Sequence, residues 1–86
     1  MVVFKYQLKD DRVNEIELPK NARILKIDVQ NGIICLWALV DPKYPLTRRV
    51  IEIFGTGHDM PEANRAYIGT FSMEEMKYIF HAFERL

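Results

Sequence analysis

The chain has 86 residues, of which 49% are hydrophobic and 28% charged, so it carries enough apolar surface to fold as one small domain, residues 1–86. Twelve basic and twelve acidic residues cancel, which argues against a duplex nucleic-acid binder, because such proteins carry a basic excess. The longest apolar run, residues 33–40, is far shorter than the roughly 20 residues that a membrane helix needs. The single cysteine, Cys35, excludes an internal disulfide and gives no sign of secretion.

These limits predict a soluble protein of the cytoplasm that makes no contact with a membrane. A chain this short buries a modest fraction of its surface on folding, and small domains often gain the missing burial by assembling. We therefore expect a homo-oligomer.

Alternation of apolar and polar side chains predicts β-strands along most of the chain. The clearest alternation, within residues 22–30, runs into Asn31-Gly32, which predicts a type I′ hairpin turn leading into the apolar strand 33–40. That strand is apolar on both faces, as expected in the middle of a covered sheet. We expect residues 47–54 to pair with it in antiparallel fashion. The predicted strands up to this point are residues 3–8, 13–18, 22–30, 33–40, 47–54 and 66–71.

The closing segment SMEEMKYIFHAFERL, residues 72–86, fits both a helix and a strand. Ser72 and Glu75 match a helix capping box, and an apolar stripe at helical spacing follows them. The aromatic-rich run at 77–83 also alternates as a strand does, with His81 on the same face as its apolar second neighbours. Local signals alone favour the helix.

Four motifs in a fixed order resemble a family of small uncharacterised bacteriophage proteins. They are CLWALVDP at 35–42, GTGH at 55–58, YIGT at 67–70 and FHAFE at 80–84, and the resemblance covers the chain from about Leu18 onward. It implies a compact, mostly β fold in which the last segment is a strand. It also implies a small phage protein, absent from the virion, that acts on host machinery or on a host-made signal.

Together these observations predict a mainly β protein: a small antiparallel sheet or partly open barrel of five to six strands. Relatives in the resembling family carry a glycine-containing stretch where this chain has SMEEMK. We therefore place a turn or a short helical turn at 72–76 and a strand at 77–84, so that a short C-terminal helical segment stays an option.

The run Gly55-Thr56-Gly57-His58 follows a predicted strand and has two interpretations. Glycines let backbone N–H groups approach an anion, and a hydroxyl and an imidazole add further donors. The run lacks the spacing of a P-loop or of a dinucleotide fingerprint, however, and glycines commonly do no more than supply a positive φ in a turn. We predict a turn first and a binding contact second.

Other candidate ligand contacts are Arg48, Arg49, Trp37 and Tyr67. Consecutive residues of a strand point to opposite faces, so Arg48 and Arg49 cannot clamp one phosphate together, and solvation of both is favoured. Trp37 lies among apolar neighbours, which favours a core or interface position over stacking on a base.

The sequence carries no recognisable catalytic constellation. It lacks the nucleophile-elbow and zincin motifs, and its paired acids lie in polar runs typical of solvated charge. His58, His81 and Cys35 do not have zinc-site spacing, and Cys35 is typical of a buried, inert thiol. We expect no enzyme activity, no metal and no cofactor.

Two hypotheses of different classes follow. In the first, a homo-oligomer binds and sequesters a small anionic, nucleotide-type host signal in a pocket between subunits, as a counter-defence protein in the host cytoplasm. In the second, the protein blocks a host enzyme by laying an apolar or strand-edge surface on it. The glycine-containing loop and the scattered arginines favour the first hypothesis.

Overall fold

The computed structural model describes residues 1–86 and contains seven β-strands and no helix. They form two antiparallel sheets, one of three strands and one of four, and no closed barrel, so the predicted five to six strands were too few. The strands are β1 (Val2–Gln7), β2 (Val13–Pro19), β3 (Arg23–Gln30), β4 (Ile33–Val40), β5 (Leu46–Gly55), β6 (Arg65–Met73) and β7 (Tyr78–Arg85). The strand order is β1-β4-β3 in the first sheet and β2-β5-β7-β6 in the second.

The hydrophobic core consists of one face of each sheet. The four alternate residues of β4 that point inward are all buried, and Leu36, Ala38 and Val40 are completely so. They belong to one cluster with Ile51 and Ile53 of β5. Ile34 is the fourth of these β4 residues, and the remaining members of the cluster are Leu8, Leu18, Ala22, Ile27, Phe71 and Ala82. Burial follows the period-2 pattern on the inner face of β4, whereas Leu25 of β3, next to an irregularity in the ladder, is 46% exposed.

The β3–β4 connection is the type I′ turn that the sequence predicts. Gln30 pairs with Ile33, and the two residues between them, Asn31 and Gly32, have φ values of 52° and 77°. A type I′ turn requires a positive φ at both central positions, and asparagine and glycine tolerate it best.

The two sheets approach each other closely where β3 lies against β6. Gly69 follows a bulge in β6, and a methyl group at this position would lie 3.1 Å from Cγ2 of the buried Ile27 on β3. Glycine is thus used here because the Ile27 side chain packs directly on the Gly69 backbone.

The predicted pairing of 47–54 with 33–40 is wrong. β5 pairs with β2 and β7 in the four-stranded sheet, whereas β4 lies between β1 and β3. Residues 41–45 contain Pro42 and Pro45 and carry the chain from one sheet to the other. Proline cannot donate to a ladder, so this segment does not continue β4 into a tight hairpin.

The C-terminal helical segment is absent. Ser72 is paired with Ile79 within the β6–β7 ladder and caps nothing, while the strand predicted at 77–84 is confirmed as β7. The turn between them places Glu74, Glu75 and Met76 at φ values of 52°, 55° and 72°. This left-handed conformation cannot start a right-handed helix. Pairing of β7 on both edges overrides the local helical signal.

Replacing Glu75 by glycine is expected to stabilise the protein. A non-glycine residue in the left-handed region costs about 1 kcal/mol, and relief of that cost should raise Tm by roughly 4–8 °C in a domain of this size. The matched control is Glu62→Gly, at an exposed position without a positive φ, where added chain entropy should give no gain. Thermal unfolding followed by circular dichroism measures both. A Glu75→Gly variant no more stable than the parent would show that the turn is not strained.

Candidate functional site

The Gly55–His58 segment is a tight turn at the end of β5. The His58 N–H donates to the Gly55 carbonyl oxygen at 3.1 Å, which closes a four-residue turn. Gly57 has φ +86°, whereas Thr56 has no positive φ. A positive φ at the third residue alone is the signature of a type II turn, which strongly favours glycine there. The structure thus shows the predicted turn, and ligand contact stays a prediction.

The turn presents free donors on its outer side. The His58 ring lies directly against Gly55, since a methyl group at Gly55 would be 2.9 Å from the ring carbon Cε1. The imidazole nitrogens of the exposed His58 bond to no other group of the protein, and neither does the Gly57 N–H. Gly55 therefore makes room for the imidazole, and Gly57 supplies the conformation.

A chain of side-chain hydrogen bonds fixes the turn on the four-stranded sheet. Thr56 Oγ1 lies 2.8 Å from His81 Nε2, and Thr70 Oγ1 lies 3.0 Å from His81 Nδ1. The Tyr67 hydroxyl lies 2.6 Å from Thr70 Oγ1. The Thr56 hydroxyl donates to the Ile79 carbonyl oxygen at 3.3 Å. When the Thr56 proton is donated to Ile79, the Thr56 oxygen accepts from His81 Nε2–H and His81 Nδ1 accepts from Thr70. When it is donated to His81 Nε2, the Nδ1–H donates to Thr70 instead, so the direction of the chain follows the His81 tautomer.

Beside the turn lies a cleft of about 510 Å³. We call it the Lys77 cleft; its lining residues are Gly55, Thr56, His58, Lys77, Tyr78, Ile79 and Phe80. No carboxylate is among them. The Lys77 ammonium group lies 5.5 Å from the centroid of the Tyr78 ring, so a cation and an exposed aromatic face stand together at its edge.

A second cleft of about 320 Å³ lies on the other side of the same turn and has the opposite charge character. Asp10, Asp11 and Asp59 line it together with Arg12. Its three carboxylates against one arginine disfavour an anion. Of the two spaces that border His58, the Lys77 cleft is the one suited to negative charge.

The predicted site residues do not all converge within one chain. Tyr67 is linked to the turn through the hydrogen bonds of His81. Trp37 lies half-buried on β4, in the other sheet, with Lys5 and Lys26 opposite it on the neighbouring strands. Arg48 is exposed near the start of β5, with its Nη1 3.5 Å from Glu15 Oε1.

Arg49 is a structural residue on the inner face of its sheet, opposite to Arg48 as predicted. Its Nη2 donates to Glu84 Oε1 at 2.8 Å, its Nε bonds the other carboxylate oxygen, and its Nη1 donates to the Ala22 carbonyl oxygen at 2.7 Å. The hydrogen bonds to Glu84 raise the pKa of the Arg49 guanidinium above its ordinary value. The prediction that Arg49 is a solvated charge is therefore wrong. Its partner Glu84 lies 35 residues away along the chain, so the sequence alone does not show the pairing.

An ion pair on the outer face holds the end of the 56–64 loop. Glu52 is only 4% exposed, and its carboxylate accepts from Arg65 Nε at 2.7 Å and from Arg85 Nη1 at 3.3 Å. The guanidinium groups of Arg65 and Arg12 each lie 5.1 Å from the centroid of the buried Phe54 ring. These contacts fix both ends of the segment that contains the turn.

Sequence reasoning predicted the turn and named Tyr67, which the hydrogen-bond chain links to the turn but which does not line the cleft; it did not name Lys77 and Tyr78, which do. The left-handed turn before β7 places Lys77 and Tyr78 at the cleft, and the sequence of that turn has the pattern of a helix start. His81 and Thr70 could have been found, because they face each other in the β6–β7 register. Cys35 is buried as predicted, and no three metal-ligating side chains lie together.

Residues 1–86 match a family described as "Domain of unknown function (DUF7352)". No curated protein matches the chain. No solved structure matches it. The structure contains no helix that is long and apolar enough to cross a lipid bilayer.

Gly57→Ala is expected to lower the free energy of unfolding by about 1 kcal/mol, because alanine pays for the left-handed conformation although there is open space around the position. Gly55→Ala is the matched control: it has no positive φ and meets only the exposed His58 ring, which can move. It should displace the imidazole, visible as a chemical-shift change, with a smaller loss of stability. Urea unfolding that ranks the two variants in the reverse order would contradict the turn assignment.

Proposed function

We propose that this chain, which belongs to the DUF7352 family of domains of unknown function, is a binding protein that holds a small anionic ligand of the nucleotide class in the Lys77 cleft. The observation that carries the proposal is the composition of this cleft. A cation, an uncommitted imidazole and an exposed aromatic ring surround a space without a carboxylate. The cleft volume lies within the range of small-molecule sites.

The donors of the cleft suit a phosphate. The Gly57 N–H, which has no partner in the protein, belongs to the turn beside the cleft and is not among its lining groups. Lys77 adds a full positive charge, and the His58 imidazole can donate from a ring nitrogen. Thr56 is not counted among the donors, because its hydroxyl proton is engaged by the Ile79 carbonyl oxygen.

The aromatic part of such a ligand has a surface to rest on. Tyr78 is 46% exposed at the edge of the cleft, and stacking of a base on an aromatic ring contributes about 1–3 kcal/mol. Lys77 stands over the same ring, so phosphate and base contacts would be adjacent.

The hydrogen-bond chain supports binding rather than catalysis. The Thr56–His81 distance of 2.8 Å would fit a nucleophile and its base. In the tautomer that leaves the Thr56 proton on the Ile79 carbonyl oxygen, however, His81 Nε2 donates to Thr56 and cannot remove its proton. The group that orients His81 Nδ1 is the hydroxyl of Thr70, not a carboxylate. His81 is then a positioning residue for the turn.

Sequestration of a host-made signal on behalf of a bacteriophage, in the cytoplasm of the host, is part of the same proposal. The resemblance of four sequence motifs to small phage proteins supports it. A homo-oligomer would add walls to the half-open cleft, in keeping with the oligomer expected for so short a chain.

The test is calorimetric titration with AMP, a cyclic dinucleotide and uncharged adenosine. The parent protein should bind at least one of the phosphorylated compounds and not adenosine. Lys77→Ala should weaken that binding about tenfold or more, since a hydrogen bond to a charged group contributes about 1.5–3 kcal/mol. Lys43→Ala, which removes an exposed lysine outside the cleft, is the matched control and should bind as the parent does.

His58→Ala should weaken binding by a smaller factor than Lys77→Ala, because it removes one hydrogen-bond donor and leaves the Lys77 ammonium group in place. Native mass spectrometry of protein purified from a host extract would show a retained small molecule and the assembly size together. Failure of every phosphorylated compound to bind, or equal binding by the parent and Lys77→Ala, would contradict the proposal.

A further inference from the structure

Two strand edges in the structure are left without a neighbour, and they differ in chemistry. The edge strands of the two sheets are β1, β3, β2 and β6; β3 and β6 lie against each other without a hydrogen-bonded ladder, whereas β1 and β2 have no strand packed beside their outer edges. β2 carries Glu15 and Glu17 and ends at Pro19, features that block pairing with another chain. β1 is apolar along most of its length, with Val3 and Phe4 53% and 42% exposed. The β1 edge has the character of an unused pairing surface.

The hydrogen bonding of β1 shows which backbone groups are free. The Leu8 N–H donates to the Ile34 carbonyl oxygen at 2.8 Å, so Leu8 and Ile34 form a hydrogen-bonded pair directly after the register of β1 with β4. In an antiparallel ladder such pairs alternate. The N–H and C=O groups of Val3, Lys5 and Gln7 therefore point away from β4, toward the open edge.

We propose that this edge pairs with β1 of a second copy of the chain, antiparallel, about a two-fold axis that passes beside Phe4. The free odd-numbered residues of the two strands must then face each other, which leaves few registers. In the central one Val3 lies opposite Lys5 of the second copy, and Phe4 lies opposite Phe4. Seven residues overlap in this register, from Met1 to Gln7.

Charge selects this register over its neighbours. A shift by one pair toward the C-terminus would place Lys5 directly opposite Lys5, and like charges in direct opposition destabilise a sheet. A shift in the other direction leaves Lys5 opposite Met1 and shortens the overlap. In the central register the one charged residue of the strand faces valine.

The side chains of the inner face complete the match. Val2 would face Tyr6 of the second copy, and Phe4 would face Phe4, all in non-hydrogen-bonded pairs, where side chains lie closest. Phe4 and Tyr6 already pack edge to face in one chain, with ring centroids 6.5 Å apart. The dimer would carry a continuous six-stranded sheet with an apolar row across its centre. This inference does not depend on the ligand of the Lys77 cleft.

Cysteine cross-linking tests the pairing and its register. In a Cys35→Ala background, Phe4→Cys should form a disulfide-linked dimer on mild oxidation, because Cα atoms of a non-hydrogen-bonded pair lie about 4.5 Å apart, within disulfide range. Val13→Cys, exposed to a similar degree at the β2 edge, is the matched control and should form no disulfide-linked dimer, although it still pairs through β1. Faster linkage of Val3→Cys or Lys5→Cys than of Phe4→Cys would overturn the central register.

Sedimentation at increasing concentration tests the dimer without a cross-link. Val3→Pro removes an N–H that points to the open edge and leaves the ladder with β4 intact, so it should yield a folded monomer. Phe4→Glu should do the same by placing two carboxylates face to face. Circular dichroism verifies that both variants fold. A parent protein that stays monomeric up to millimolar concentration, with its edge open to a strand of another protein, would overturn the proposal. So would a dimer that both substitutions leave unchanged.

Discussion

The structure depends on the position of β7 between β5 and β6, where it is hydrogen-bonded along both edges. From this strand Ala82 enters the core, Glu84 binds Arg49 on the inner face, and His81 fixes the Thr56 hydroxyl on the outer face. A helix in place of β7 would leave the edges of β5 and β6 unpaired and remove all three contacts at once. Backbone pairing of one strand thus organises the core, an ion pair and the candidate site together, which outweighs the strain in the turn before it.

Much of the fold can be read from the sequence because its signals are local. Alternating side chains locate the strands, and Asn31-Gly32 specifies its turn unaided. Which strands pair with each other cannot be read from local signals. β5 and β4 are neighbours along the chain and both apolar, yet they pair in different sheets, because pairing is decided by which faces the whole chain can bury. The closing segment shows the same limit, since Ser72 and Glu75 have the spacing of a helix cap but meet strand partners instead.

The candidate site likewise has one part that local signals predict and one part that they do not. Its turn was predictable, because Gly57 reports a local backbone requirement. The wall formed by Lys77 and Tyr78 was not, because a left-handed turn of residues without glycine brings it there. Arg49 shows the reverse case: the sequence offers a free arginine, and folding commits it to Glu84, 35 residues away. Tertiary contacts decide which charged side chains are paired within the protein. Side chains that remain without a partner, such as His58, are therefore better candidates for ligand contact.

The lone thiol provides a view of motion within the first sheet. Cys35 is 1% exposed on the central strand β4, with β1 on one side and β3 on the other. Its side chain alternates with Ile34 and Leu36 and so lies on the face opposite to the core, where a thiol-specific reagent reaches it when the covering side chains move aside, a neighbouring strand separates or the domain unfolds. The rate of labelling under native conditions therefore reports how often this outer face of the β1–β4–β3 sheet opens, and occupancy of the outer edge of β1 would slow the share of that rate that comes from separation of β1.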